Sequence, residues 1–328
     1  MLQFAPCLST IDLVQDIPVL VENGVEMITV NENELFLDAS DERLLEIRKI
    51  FEDAGLEIHS VHGPTSKDLI SSDPGLRNQS VEKFSRLVRQ LSIAGVGIMV
   101  FHGGQVEDED HLASAFSLAL ESLERLVKAA EEHQVVLALE NDSYQEGFPR
   151  GFCGNSRILL KLLESIDSPW LKACFDTGHA HIYEGVQETI GDAVRNLGAW
   201  IVTFHIQDND GFGDLHIQPG YGTINWDEFV SALQDIRYEG PMTIESGPWA
   251  GGTYRCMLEE VKALLKDSGA DIRDELTLRP KVDWLKSFPS GWTTHGNPDL
   301  MIRCRRCGHY IVWTPEGGHC ACGERRMS

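Results

Sequence analysis

Between His205 and Trp226 the chain reads HIQDNDGFGDLHIQPGYGTINW, with two His and three Asp in its first twelve residues. Imidazole and carboxylate are the donors that divalent transition metals bind. The same types recur along the chain: His62 in SVHGP, His102 in VFHGG, Glu140 in ALEND, Asp176 with His179 and His181 in CFDTGHAH, and Glu245 in TIESGP. A carboxylate at the end of an apolar strand is costly to bury unless it is paired or metal-bound. Taken singly, His62 and His102 read more readily as hydrogen-bonded structural histidines than as ligands. Asp208 and Asp210 read as turn residues around N-D-G, and His181 is expected to point away from His179. As a set, Glu140, Asp176, His205 and Glu245 predict a divalent metal site, and His62, His102, His179, Asp214 and His216 are candidates for further metal or substrate contacts. The donor mix suits Mn, Zn, Co, Mg or Fe.

These residues need a frame that brings them together. The first 268 residues alternate short β-branched runs with longer runs of helical periodicity. Strands are expected at Leu2–Cys7, Val25–Val30, Glu57–Val61, Ile98–Phe101, Val135–Leu139, Leu171–Phe175, Trp200–Phe204 and Met242–Ile244, each followed by a helix. Val81, Phe84, Leu87, Val88 and Leu91 form one helical stripe; Leu112, Phe116, Leu120, Leu123 and Val127 form another. Asn155 is expected to cap Ser156–Ile166, and Asn225, with Glu228 three residues on, the helix that follows it. Eight strand–helix units in about 250 residues have the rhythm of a (β/α)8 TIM barrel, an α/β fold whose strand C-termini converge on one mouth. An open doubly wound sheet is the alternative, but PCLSTID after the first strand lacks a glycine-rich phosphate turn. No Walker sequence, nucleophile elbow or H-E-x-x-H is present.

Composition narrows the partners. The chain of 328 residues has a formal net charge of −23. Residues 301–328 carry five Arg against Glu316 and Glu324, a net +3, so the first 300 residues carry −26. Such a surface opposes nucleic acid, whose binding rests on Lys and Arg neutralising phosphates. No apolar run approaches a membrane span, and MLQFAPCLST lacks the pattern of a signal peptide. A cytoplasmic chain is therefore expected, with nucleic acid disfavoured as a partner, no membrane partner, and a homo-oligomer left open.

The motifs VHGP, FHGG, ALEND, CFDTGHAHI, FHIQDNDGFGDLHIQPGYGTINW and TIESGP resemble the xylose isomerase-like barrel superfamily over about residues 1–268. That superfamily includes sugar epimerases, inosose dehydratases, hydroxypyruvate isomerases and endonuclease IV. In the epimerase branch a Glu, an Asp, a His and a second Glu hold one divalent ion, and these match Glu140, Asp176, His205 and Glu245. The resemblance implies that both glutamates shuttle protons and that His179 touches substrate. The implied activity is isomerisation or epimerisation of a sugar or polyol through an enediolate stabilised by the metal as a Lewis acid. One position departs: where these epimerases often carry an Arg, this chain has Gly211. The alternatives are an inosose-dehydratase-like lyase on the same site, a catalytically silent sugar-binding barrel, and a multi-zinc phosphodiesterase like endonuclease IV. The last arises because every position of that enzyme's three-zinc set has a candidate here, with Glu140 bridging His62 and His102, and His179, Asp214 and His216 forming a further site.

Residues 269–300 lose the alternation and read as a linker packed partly on the barrel. In the tail, residues 301–328, Cys304, Cys307, Cys320 and Cys322 are spaced C-x2-C-x12-C-x-C. Paired Cys on tight Cys-Gly turns suit a closed structural zinc site, and the segment resembles a zinc ribbon. Its second pair is C-x-C rather than C-x2-C, which leaves His309 or His319 as alternative ligands. A disulfide pair or a redox-sensitive tail is the other reading.

Overall fold

The computed structural model describes residues 2–272 except Thr10, Val14, Glu32–Asn33, Thr65, Tyr144–Glu146, Gly185–Gln187 and Trp249–Gly251, together with four short strands in the tail. Eight parallel strands close into a barrel: β1 Gln3–Leu8, β2 Met27–Val30, β3 Glu57–His62, β4 Ile98–His102, β5 Val136–Glu140, β6 Leu171–Asp176, β7 Ile201–Ile206 and β8 Pro241–Ile244, with β1 pairing both β2 and β8. All eight expected strands are present, and helices follow each. Several strands run one residue further than their apolar stretch, so that His62, His102, Glu140 and Asp176 are their last residues. Backbone pairing with neighbouring strands carries the ladder past the point where hydropathy changes.

The helices are α1 Asp16–Glu22, α2 Glu34–Leu37, α3 Asp41–Ala54, α4 Pro74–Ala94, α5 Glu109–His133, α6 Ser156–Ile166, α7 Thr177–Glu184, α8 Ile190–Leu197, α9 Trp226–Asp235 and α10 Tyr254–Asp267. Asn155 caps α6 by accepting from Ile158 N at 2.9 Å, and Asn225 caps α9 by accepting from Glu228 N at 3.3 Å. The Glu228 carboxylate accepts from Thr189 Oγ1, the hydroxyl that caps α8. On α4 the expected stripe is buried. On α5 it is shifted. The buried face runs through Ala115, Ala119, Leu123, Leu126 and Ala130, while Leu112 is exposed and Phe116, Leu120 and Val127 are half-buried. Small residues face inward because α5 packs closely against α4, and the larger side chains cover the flanks.

The main core lies between barrel and helices, with Phe175, Phe204 and Phe229 in edge-to-face contact. The barrel interior is partly polar. Thr29 on β2 bonds Ser60 on β3 at 2.9 Å and Thr243 on β8 at 2.8 Å, and His59 on β3 bonds Thr203 on β7 at 2.8 Å. β3 and β7 are not neighbours in the barrel, so that last bond crosses the interior. Two-residue strands Gln105–Val106 and Arg150–Gly151 pair antiparallel above the mouth.

The tail strands Ile302–Arg303, Tyr310–Thr314, Gly317–His319 and Arg325–Arg326 form an antiparallel sheet. Linker residues 273–300 and the four tail cysteines lie outside the described residues.

Candidate active site

Parallel strands in a closed barrel point every C-terminus at one face, and register decides which side chains meet there. His102 on β4 is in register with Glu140 on β5, and Asp176 on β6 with His205 on β7. Glu245 follows β8 and its backbone N–H donates to Ile206 O at 3.0 Å. Glu140, Asp176 and His205 are almost fully buried, and Glu245 is 8 % exposed.

Two carboxylates converge on one imidazole nitrogen. His205 Nδ1 lies 3.0 Å from Glu140 Oε1 and 3.2 Å from Glu245 Oε2. Donor atoms of Glu140, Asp176, His205 and Glu245 all lie within 4.8 Å of one another. Among the described residues two buried atoms of the set, His205 Nε2 and Glu245 Oε2, make no well-aligned hydrogen bond, Glu245 Oε2 meeting His205 Nδ1 only as an ion-pair contact. Three buried carboxylates so close together need positive charge. In the protein alone the histidines provide it. Burial opposes charge on His205, but the neighbouring Cys174, Glu245 and Glu140 outweigh it and hold its pKa well above the ordinary value. Burial pushes Asp176 up to about 7, with Glu245, Glu140 and Asp214 adding to the effect and His179 opposing it. A divalent cation suits the same donors, and the mixture of three carboxylates with one imidazole fits one.

The other histidines share a pattern. His62 donates Nδ1–H to Gly63 O at 3.1 Å and places Nε2 3.3 Å from Glu140 Oε2. His102 sets Nδ1 3.0 Å from Asp142 Oδ1 and Nε2 3.8 Å from Glu140 Oε2. His179 donates Nδ1–H to Asn141 O at 2.8 Å, with Nε2 3.1 Å from Asp214 Oδ2. His216 donates Nδ1–H to Glu245 O at 2.8 Å, with Nε2 3.4 Å from the same Asp214 oxygen. In His62, His179 and His216 one ring nitrogen is fixed by a backbone carbonyl and the other faces a carboxylate, which is how metal-binding histidines are commonly held, whereas both nitrogens of His102 face carboxylates. His62, His102 and Glu140 also bring donor atoms within 4.8 Å of one another. Burial disfavours charge on His102, yet Glu140 and Asp142 raise its pKa to about 9. Burial works to raise the Asp214 pKa, but His179 and His216 hold it well below the usual carboxylate range. His216 has φ +45°, a strained conformation for a side chain of this size.

His181 lies apart from this cage, with Nε2 2.9 Å from Thr223 Oγ1. Gly211 stands at a positive φ of 81°, and a Cβ there would come 3.5 Å from His181 Nε2. Asp210 is a turn residue, accepting from Phe212 N and Gly213 N. Asp208 is more than that: it is fully buried and accepts four hydrogen bonds that pin the loop bearing Asp214 and His216.

Several polar residues here were not singled out by sequence. Asn141 accepts from Asp176 N at 2.8 Å and donates to Asp176 O at 3.0 Å, clamping β5 to β6. Asp142 holds His102 and accepts from Cys153 N at 2.9 Å. Gln207 Nε2 donates to Asp214 Oδ1 at 2.8 Å and to Asp176 at 3.3 Å, and a Cβ at Gly178 would overlap its side chain. The signal for Asn141 and Asp142 was present in ALEND, where polar residues continue past the strand end.

A closed parallel barrel with a buried His/Asp/Glu cage at its C-terminal mouth defines the class. The model of the xylose isomerase-like TIM barrel family matches residues 21–271. The chain belongs to that family. An uncharacterised protein of Methanocaldococcus jannaschii is 30% identical over 211 residues, covering 62% of this chain and 68% of that protein. D-psicose 3-epimerase of Enterocloster bolteae is 26% identical over 239 residues, covering 71% of this chain and 76% of that protein. The solved structure of a D-tagatose 3-epimerase-like protein has the same fold, with TM-score 0.68 and 21% identity, over 81% of this chain and 98% of that one.

Proposed function

We propose that the chain is a divalent-metal-dependent epimerase or isomerase of a ketose or polyol-derived ketone. The observation that supports it is the convergence of Glu140 and Glu245, from β5 and β8, on His205 Nδ1 at 3.0 and 3.2 Å. Glu140, Asp176, His205 and Glu245 are the residues that would hold the ion, which when bound supplies Lewis-acid stabilisation of charge developing on the substrate carbonyl oxygen. Glu245 takes a proton from the carbon beside that carbonyl, and Glu140, ionised at rest, returns to the other face a proton supplied by the His102 imidazolium 3.8 Å away, solvent then resetting both groups. Asp214 and Asn141 hold the His179 ring so that it meets a substrate hydroxyl. Water is kept from the carboxylates by their burial. The similarity to epimerases supports a sugar as substrate; an inosose-type dehydration would begin with the same proton abstraction. Glu245→Gln is expected to abolish exchange of the substrate C–H with solvent deuterium. Exchange at the wild-type rate would remove Glu245 from the proton path.

The approach of His62 Nε2 and His102 Nε2 to the same Glu140 oxygen favours a second reading, in which these residues would hold a further ion and the site would hydrolyse phosphodiesters. The net charge of −26 on the first 300 residues weighs against a nucleic-acid substrate. Metal content separates the readings. Leaving the tail cysteines out of the count, one ion per chain supports the epimerase, and two or more the phosphodiesterase. For the tail we retain the proposal of a structural zinc on Cys304, Cys307, Cys320 and Cys322.

A further inference from the structure

The mouth opens sideways into a cavity of about 600 Å³, whose walls include His62 and His102 together with Asn31, Ser66, Lys67 and Lys83. Ligand sites commonly span roughly 300–1,000 Å³. His62 and His102 tie this cavity to the catalytic cage, since both rings face Glu140. Lys67 enters from the 3-10 turn after β3, and Lys83 from α4. Among the described residues neither lysine forms an ion pair, so both ammonium groups face the cavity without a carboxylate partner. On a barrel this acidic, two unpaired ammonium groups on one cavity are a marked concentration of positive charge. Among the described residues the one carboxylate on the walls, Asp142, is engaged by His102 and by Cys153 N. Asn31 adds an independent pointer: among the described residues its Oδ1 is buried without a hydrogen-bond partner, an acceptor suited to a sugar hydroxyl.

We infer that this cavity binds an anionic group, phosphate or carboxylate, at the end of the sugar chain remote from the reacting carbons. The inference rests on the epimerase reading and narrows its substrate class to charged sugars. Glu140, Asp176, Asp214 and Glu245 crowd the reacting end, so an anion there is repelled. Lys67 and Lys83 attract it to the other end, as point charges suited to a phosphate or carboxylate. The adjoining cavity of about 340 Å³ shares Lys67 but is lined by Asp68, Glu107, Asp108 and Asp110, which exclude an anion and confine it to the Lys83 side. Lys67 and Lys83 thus act in specificity, away from the proton transfer.

The test is isothermal titration of the full chain, as purified with its metal, against D-fructose, D-fructose 6-phosphate and D-glucuronate. One charged sugar should bind at least about tenfold tighter than D-fructose, and the Lys67→Gln/Lys83→Gln double variant should lose that margin. Which of the two binds tighter tells phosphate from carboxylate. Equal binding of all three sugars by the wild type, or a margin that survives in the double variant, overturns the inference. Should no sugar bind, the epimerase reading falls, and ³¹P line broadening of inorganic phosphate decides the anion site alone. Broadening lost in the double variant supports the site; no broadening, or broadening that persists, overturns it.

Discussion

Asp208→Asn is the substitution whose effect follows most directly from the geometry. Asp208 Oδ1 accepts from Asn209 N at 2.9 Å and Ile224 N at 3.1 Å; Oδ2 accepts from Gly220 N and Trp226 Nε1, both at 3.0 Å. Its backbone exchanges two hydrogen bonds with Ile217, at 2.7 and 2.9 Å. One carboxylate therefore fastens residues 209–226 at four points. An amide keeps the shape but turns one oxygen into an NH2 group that faces two N–H donors. Those two donors lose their acceptor in a fully buried site, at about 1–3 kcal/mol each. Burial already raises the Asp208 pKa, so part of the loss is offset by removing a charge that the site tolerates poorly. The net expectation is a destabilisation of about 3 kcal/mol. At about 2–4 °C per kcal/mol for a domain this large, the melting temperature should fall by about 6–12 °C. Calorimetry measures the fall, and hydrogen exchange over residues 209–226 shows whether the loop loosens first. A loss under about 1 kcal/mol with unchanged exchange in that loop would refute the pinning argument.

Burial holds the His59 pKa down to about 4, so the folded protein keeps this ring neutral while the unfolded chain protonates near 6.5. The sign follows: stability is full above pH 6.5 and declines as pH falls toward 4, by about 3 kcal/mol from this group. His59→Gln, which retains a donor for Thr203, should flatten the acid limb of urea-derived stability by that amount; an unchanged limb would show that His59 titrates freely. With a metal held as proposed, a chelator should lower the melting temperature, because Glu140, Asp176 and Glu245 then face one another with only protonated histidines between them. A melting temperature indifferent to chelator and to added Mn or Zn would count against a metal in this cage.

The residue types at the strand ends could be read from sequence because a parallel barrel gathers every strand C-terminus on one face. Once eight alternations were recognised, His62, His102, Glu140, Asp176, His205 and Glu245 had to share one mouth. Asp214 and His216 followed from their position on the loop after β7. Periodicity served α4 well and misplaced the inward face of α5. There, close approach to α4 selects the alanines, and a one-dimensional pattern carries no information about interhelical distance.

Other features depend on partners far apart in the chain. Asp208 looked like a turn residue because N-D-G is a turn sequence; its role as a hub needs Gly220, Ile224 and Trp226 folded back onto it. Asn141 and Gln207 bind across strands to Asp176 and Asp214, contacts set by register rather than spacing. Lys67 and Lys83 gave no sign of an anion site in the sequence, where they stand among ordinary surface residues. They share a cavity with His62 and His102 because β3, its following turn and α4 pack around one corner of the mouth. Sequence determined which chemistry the chain carries, since donor types and strand ends are local properties. The tertiary structure decided which atoms face one another, because register, helix packing and loop closure are long-range.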